Sequence, residues 1–220
     1  KQCLYVYIMK TQNTKKIVLT KKHAYTRKNK DVFRKEDFKS GDGMLTTVWG
    51  PSLWHTLHTI SFNYPLKPTK RDKINYKRFI YQLRHVLPCK HCRINLKENF
   101  KCLPLLDKHM KNRYTYSKYI YDLHELINKM LHKTSNLSYK DVRERYEHFR
   151  ARCNKGKIVN VQKLKKNITQ KKKSKKEMGC IDPLYGNKSK CIIKIVPQKT
   201  KCDTFQMNNN CKSFRVSLDE

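Results

Sequence analysis

Between residues 45 and 153, apolar side chains recur every three or four positions, the spacing that lines one side of an α-helix. The first such segment, WGPSLWHTLHTISFNY, sets Trp54, Leu57, His58 and Ser61 at i, i+3, i+4 and i+7. Pro51 suits its first turn, where a missing N–H costs nothing. Pro65 ends it, because the residue before a proline is steered out of the helical region. After KPTKRD a second stripe runs through Tyr76, Phe79, Ile80, Leu83, Val86 and Leu87. Pro88 closes that helix or opens the next, a short one expected from Cys89 to about Phe100. A fourth helix is expected over roughly 114–132, with Tyr116, Ile120, Leu123, Ile127 and Leu131 on its apolar side. Ser138 followed by Asp141 resembles a capping box, in which each side chain satisfies the other residue's backbone N–H. It predicts a fifth helix carrying Val142, Tyr146 and Phe149. Helices of this length with short connections predict a mainly α fold, a four-helix bundle with a short fifth helix.

The pattern breaks on both sides of this region. Residues 1–44 mix short β-prone runs (LYVYI, KIVLT) with basic clusters and read as a basic N-terminal arm. Residues 154–178 contain KLKKNITQKKKSKK, have almost nothing to bury, and read as a basic linker. NIT at 167–169 fits a glycosylation sequon without any sign of a secretory route. Residues 179–220 place Cys180, Cys191, Cys202 and Cys211 around PLYG and the alternating run CIIKIVP. They predict a small cysteine-bearing extension with short strands. So short a segment needs crosslinks, a metal or docking onto the bundle to hold a fold. The expected organisation is therefore 1–44, 45–153, 154–178 and 179–220.

Charge narrows the partners. The 220 residues include 51 Lys and Arg against 17 Asp and Glu, a net charge of +34. Such a field attracts polyanions non-specifically. No C2H2, RRM or KH signature supports sequence-specific nucleic-acid recognition. No apolar run is long enough for a transmembrane helix. Nine cysteines are many for a cytosolic chain, and an odd number leaves one thiol over or paired with another molecule.

Chemistry concentrates at LPCKHCRIN, where Cys89 and Cys92 are separated by Lys90 and His91. A C-x-x-C at a helix start puts a sulfur near unpaired N–H groups and the positive end of the dipole, which favours thiolate and fast disulfide exchange. The alternative is zinc, since Cys89, Cys92, Cys102 and His109 supply four suitable ligands. Spacing alone leaves both open. The neighbouring helices add Trp54 and His58 four residues apart, and His124 and Asn128 likewise. Together they would line a pocket with one aromatic wall and several hydrogen-bonding groups, as a planar redox cofactor requires. Lys133 and Arg145 could meet phosphates.

These residues resemble the Erv/ALR flavin-linked sulfhydryl oxidases, whose first helix reads G-x-x-x-W-x-x-L-H-x-x-x-x-x-Y-P. Gly50, Trp54, Leu57, His58, Tyr64 and Pro65 match in register, and LPCKHC falls where that family has its redox-active pair. YIYDLHELINKMLHK is similar to the family's H-N-x-V-N segment, with His124, Asn128 and Lys133 in place, and SYKDVRERY to its following helix. The likeness covers about 49–153. Departures are Pro51 for an Arg, Asn95-Leu96 for His-Phe, and Glu125 for an Asn. The C-R-x-N form after the dithiol, and the tail with PLYG and IVPQ, resemble the branch from large nucleocytoplasmic DNA viruses.

The resemblance implies a FAD-dependent thiol oxidase that forms disulfides in client proteins and passes electrons to O2, giving H2O2. Cys89 would exchange with incoming thiols and Cys92 would face the flavin. Gly50, Trp54, His58, His124, Asn128, Lys133, Arg145 and Tyr146 would bind the cofactor, with the adenine among Trp54, His58, His124, Asn128 and Tyr146. It further implies a homodimer, clients that include virion proteins, and a location in host cytoplasm at viral assembly sites or in the virion. The second function class carried forward is a zinc-stabilised, basic nucleic-acid-binding module.

Overall fold

A computed structural model describes residues 39, 41, 43–152, 179–197, 199–201 and 206–212. Most of the expected arm and all of the expected linker at 154–178 lie outside the described residues. Within them run five helices: α1 (Thr46–Phe62), α2 (Lys70–Val86), α3 (Lys90–Cys102), α4 (Arg113–Met130) and α5 (Tyr139–Glu147). A short 3-10 turn at Asp107–Met110 precedes α4. Helix α1 lies against α4 and α5, α2 against α3, and α3 against α4. The fold is the expected mainly helical bundle. None of the described helices is long and apolar enough to cross a membrane.

Local sequence explains most helix starts. Thr69 and Asp72 form a capping box at α2: Thr69 N–H donates to Asp72 Oδ2 at 2.8 Å, and Asp72 N–H donates to Thr69 Oγ1 at 3.1 Å. The Thr69 hydroxyl and amide hold the Asp72 carboxyl below its usual pKa. Ser138 and Asp141 make the same reciprocal pair at α5, as expected, and Asn112 with Thr115 does so at α4. Helix α1 departs from expectation. It starts at Thr46, so Pro51 sits in the second turn rather than the first. Leu45, at the cap, supplies no side-chain hydrogen bond. Instead Val48 and Trp49 N–H groups donate to Leu45 C=O, and the Trp49 indole N–H donates to Met44 C=O at 3.0 Å.

The far end of α1 has no basic residue in its last turn. Its terminal carbonyls are satisfied from other elements. Arg150 Nη2 donates to Phe62 C=O at 2.8 Å, and Arg113 Nε donates to Tyr64 C=O at 2.7 Å. Arg150 is also bound in a forked ion pair to Glu147. Positive charge at a helix C-terminus is favourable, and here it ties α1 to α4 and to the end of α5.

The core is unusually aromatic. Tyr64, Tyr76 and Tyr116 meet edge-on or tilted, with ring centroids 4.5–5.5 Å apart. Tyr64 OH donates to Met110 C=O at 3.1 Å, whereas the buried Tyr116 hydroxyl finds no partner among the described residues. Ile80, Leu105 and Ile120 complete the interior. Three apolar positions of the expected stripes stay outside: Phe79 is 40% exposed, Val86 68% and Leu131 41%. Helix α2 packs only along the side that carries Ile80, and Leu131 lies one residue past the end of α4.

The extension docks onto the end of the bundle. Ala151–Arg152 (β1) pairs antiparallel with Asp182–Pro183 (β2), and Leu184 N–H donates to Arg150 C=O at 2.8 Å. Cys180 is disulfide-bonded. Docking and a crosslink together meet the requirement of a segment too short for its own core. The alternating run CIIKIVP forms no strand, and Ile192, Ile193 and Ile195 are largely exposed, at 67–74%. Alternation predicts a strand only where a partner edge is available, and the pairing edge is taken by Asp182–Pro183.

Candidate functional site

Cys89 and Cys92 are bonded to each other, with Cα atoms 5.2 Å apart. Cys89 is the cap residue of α3, in extended conformation, and its sulfur accepts the Cys92 N–H at 3.2 Å. The pair therefore sits at the positive end of a helix of 13 residues. Both cysteines are half-buried, while Lys90 and His91 are exposed. The zinc alternative needs free sulfurs at Cys89, Cys92 and Cys102, and all three are in disulfides. His109 directs Nδ1 to the Leu106 N–H at 3.1 Å.

The approach to α1 braces this disulfide. Gly43 and Cys89 form an antiparallel bridge, and Met44 N–H donates to Pro88 C=O at 2.8 Å. Gly43 has φ of 124°, and a Cβ there would lie 2.7 Å from the Pro88 oxygen. Only glycine tolerates both. Gly43→Ala is expected to cost about 1–3 kcal/mol, read as a lower thermal midpoint with helix content unchanged. Thr46 completes the contact, its hydroxyl oxygen 3.8 Å from Cys92 Sγ. Sequence reasoning placed 43 and 44 at the end of an irregular arm. The GDG run at 41–43 was the available signal, since glycine pairs mark tight backbone approach.

Further along α1 lies a cluster of rings. Trp54 stacks on His124 of α4, with centroids 3.9 Å apart and planes within 8°. His58 Nε2 and His124 Nδ1 share a hydrogen bond of 3.1 Å. Tyr146 of α5 closes the group, 5.2 Å from the His58 ring and hydrogen-bonded through its hydroxyl to His55 Nδ1 at 3.3 Å. Burial, helped by the charges of His124 and His55, lowers the His58 pKa to about 3. Burial likewise lowers His124 to about 4 and raises Tyr146 to about 12. All three are neutral near pH 7. His58 Nδ1 is buried and has no hydrogen-bond partner among the described residues.

The remaining candidates lie around this cluster. Asn128 Nδ2 donates to Glu125 Oε1 at 3.1 Å, and Ser135 Oγ donates to the same oxygen at 2.8 Å. Glu125 thus ties the loop after α4 back to the helix. Lys133 lines an open cleft of about 470 Å³ there with Glu125, Lys129 and Ser135, and its backbone N–H donates to Asn128 C=O at 2.9 Å. Gly50 stands one turn before Trp54. A Cβ there would meet only Thr46 Cγ2, at 3.7 Å, so the chain's own atoms do not demand glycine. Arg145 is half-buried beside Tyr146 on α5. The structure brings Trp54, His58, His124 and Tyr146 into contact, with Asn128 and Lys133 at the neighbouring loop. His55 and Thr46 were not anticipated. His55 is adjacent in sequence to Trp54 but falls off the stripe that flagged it.

Residues 51–150 match the model of the Erv1 / Alr family. A probable FAD-linked sulfhydryl oxidase of Acanthamoeba polyphaga mimivirus is 35% identical over 85 residues, covering 39% of this chain and 59% of that protein. A putative FAD-linked sulfhydryl oxidase of Invertebrate iridescent virus 6 is 29% identical over 90 residues, covering 39% of this chain and 81% of that protein. The crystal structure of the yeast Erv1 core covers 56% of this chain and 96% of its own, at 21% identity and a TM-score of 0.43. The family match begins one residue after Gly50 and ends at Arg150, enclosing the Cys89–Cys92 disulfide and the ring cluster. Residues 51–150, a little under half of the chain, are thus similar to the Erv1 / Alr family.

Proposed function

We propose that the chain is a FAD-dependent thiol oxidase that introduces disulfide bonds into client proteins and passes the electrons to O2, giving H2O2. The observation that carries this reading is a disulfide at the start of α3, joined by a single helix to a neutral cluster of stacked rings. Thr46 touches Cys92, and Trp54 lies eight residues further along α1, about 12 Å of helical rise.

The protein chemistry follows from the sulfurs. A client thiolate attacks Cys89 Sγ, forming a mixed disulfide and releasing Cys92 as thiolate. A second client thiolate attacks the client sulfur of that mixed disulfide, releasing Cys89 as thiolate and the client as a disulfide. Two electrons now reside on the pair. The Cys92 N–H and the start of α3 stabilise charge on Cys89, which makes it the better leaving group in this second exchange. FAD would supply the two-electron acceptor that restores the Cys89–Cys92 disulfide and the route from there to oxygen.

The residues fit that cofactor. Trp54 with His124 offers a flat surface for a ring, the orphaned His58 Nδ1 offers a buried polar atom, and Gly50 leaves its flank open. Asn128 and Tyr146 would border the adenine, and Lys133 with Arg145 would meet the phosphates. Homodimerisation, virion proteins as clients, and a place in host cytoplasm or virion belong to the same proposal.

The test uses the full purified chain. It should carry a flavin absorption spectrum, take up oxygen with a small dithiol, and release one H2O2 per thiol pair oxidised. A folded, colourless protein that neither binds added FAD nor consumes oxygen would sink the reading.

A further inference from the structure

Helix α1 starts in a way its own sequence does not favour. Pro51 is best placed in a first turn, yet a full turn of helix precedes it. Pro51 has no N–H to offer Thr47 C=O, four residues back, so the early start loses one backbone bond. The cap position falls on Leu45, which has no side chain for the purpose, while threonines follow at 46 and 47. A start one residue later would put Thr46, a good cap residue, at that position. A local rule broken in this way points to a compensating role elsewhere. The extra turn brings the Thr46 hydroxyl to Cys92 Sγ, at 3.8 Å.

We propose that Thr46 is a positioning residue for the redox pair, donating its hydroxyl hydrogen to Cys92 Sγ and favouring the reduced, dithiol state of Cys89–Cys92. The inference rests on the reading of this disulfide as the redox centre. Residue 46 lies before the family match, and Cys92 lies within it.

A disulfide sulfur is a weak acceptor, and a thiolate is a much stronger one. The bond therefore gains strength when the disulfide opens. The two sulfurs then have separate donors: the Cys92 N–H serves Cys89, and the Thr46 O–H serves Cys92. The brace through Gly43 and Met44 fixes the backbone on both sides, so the hydroxyl stays aimed in either redox state. Thr46 is exposed, and water competes for its hydroxyl. The expected effect is that of one net hydrogen bond.

The test equilibrates the full chain with reduced and oxidised glutathione, in the balanced exchange of one protein disulfide and two glutathione thiols for one protein dithiol and one glutathione disulfide. Thr46→Val should lower the equilibrium constant for dithiol formation about three- to tenfold, the worth of one net hydrogen bond, and Thr46→Ala should do the same. Thr46→Ser should restore it. In a Cys89→Ser background, alkylation of Cys92 should shift to higher pH with Thr46→Val and return with Thr46→Ser. Equal constants for wild type, Thr46→Val and Thr46→Ala would overturn the proposal, as would a Thr46→Ser variant that matches Thr46→Val. The equilibrium needs neither flavin nor oxygen, so it can succeed or fail independently of the oxidase activity.

Discussion

Replacing Cys89 with serine is expected to reduce dithiol-dependent oxygen uptake by about three orders of magnitude or more, while leaving the helices in place. The two halves of this expectation have separate physical grounds. Serine has no sulfur to exchange, so no client thiol can enter and no electrons reach Cys92. Serine is also a better cap residue than cysteine, and Cys89 is the cap of α3. The lost disulfide encloses only two intervening residues, and so short a loop removes about 2 kcal/mol of chain entropy at most. Cys92→Ser should be equally inactive but differ in one respect. Its Cys89 is left as a thiol that can exchange only with a disulfide, so added glutathione disulfide should convert it to a mixed disulfide, releasing one glutathione thiol, that no neighbouring cysteine resolves and that mass spectrometry detects. Oxygen uptake preserved in both variants would refute the assignment of this pair.

Acid is expected to destabilise the protein in a defined window. In the unfolded chain His58 takes up its proton near pH 6.5, and in the folded chain only at about 3. His124 behaves alike, at about 4. Between those values the unfolded state binds more protons, so stability is complete above pH 6.5 and falls as pH drops toward the folded values. His58 is 4% exposed and faces His124, His55, Tyr146 and the Trp54 indole, with no carboxylate in direct contact among the described residues. It alone should contribute a loss of about 3 kcal/mol by pH 4. Asp72 and Asp141, both held below their usual value by capping hydroxyls, add their loss only at still lower pH. Urea midpoints measured from pH 7 to pH 4 should show the fall, and His58→Gln should flatten it. A flat wild-type profile would contradict the buried, neutral pair.

Much of this molecule is legible in short stretches of sequence. The helical stripes locate α2 and α4, and Ser138 with Asp141 fixes the start of α5 within a residue. Trp54, His58 and His124 are found because helical spacing puts them on inward faces. What escapes is set by contacts between distant segments. Nothing near Phe62 announces that Arg113 and Arg150 will satisfy the end of α1. Gly43 and Thr46 gain meaning only when Pro88, Cys89 and Cys92 are placed beside them. Phe79 and Val86 fit the α2 stripe yet stay exposed, because periodicity gives the direction of a side chain without telling which directions meet a neighbour. CIIKIVP alternates well and pairs with no strand among the described residues, for the same reason.

The chain's two tryptophans, Trp49 and Trp54, lie within six residues of each other on α1. One is anchored to the Met44 carbonyl that leads into the disulfide brace, and the other lies flat on His124. All indole emission therefore originates beside the chemistry, and the many tyrosines of the core are silent at its wavelengths. The light is a local instrument: quenching, recovery or energy transfer to a bound ring would register at the redox centre without any attached dye.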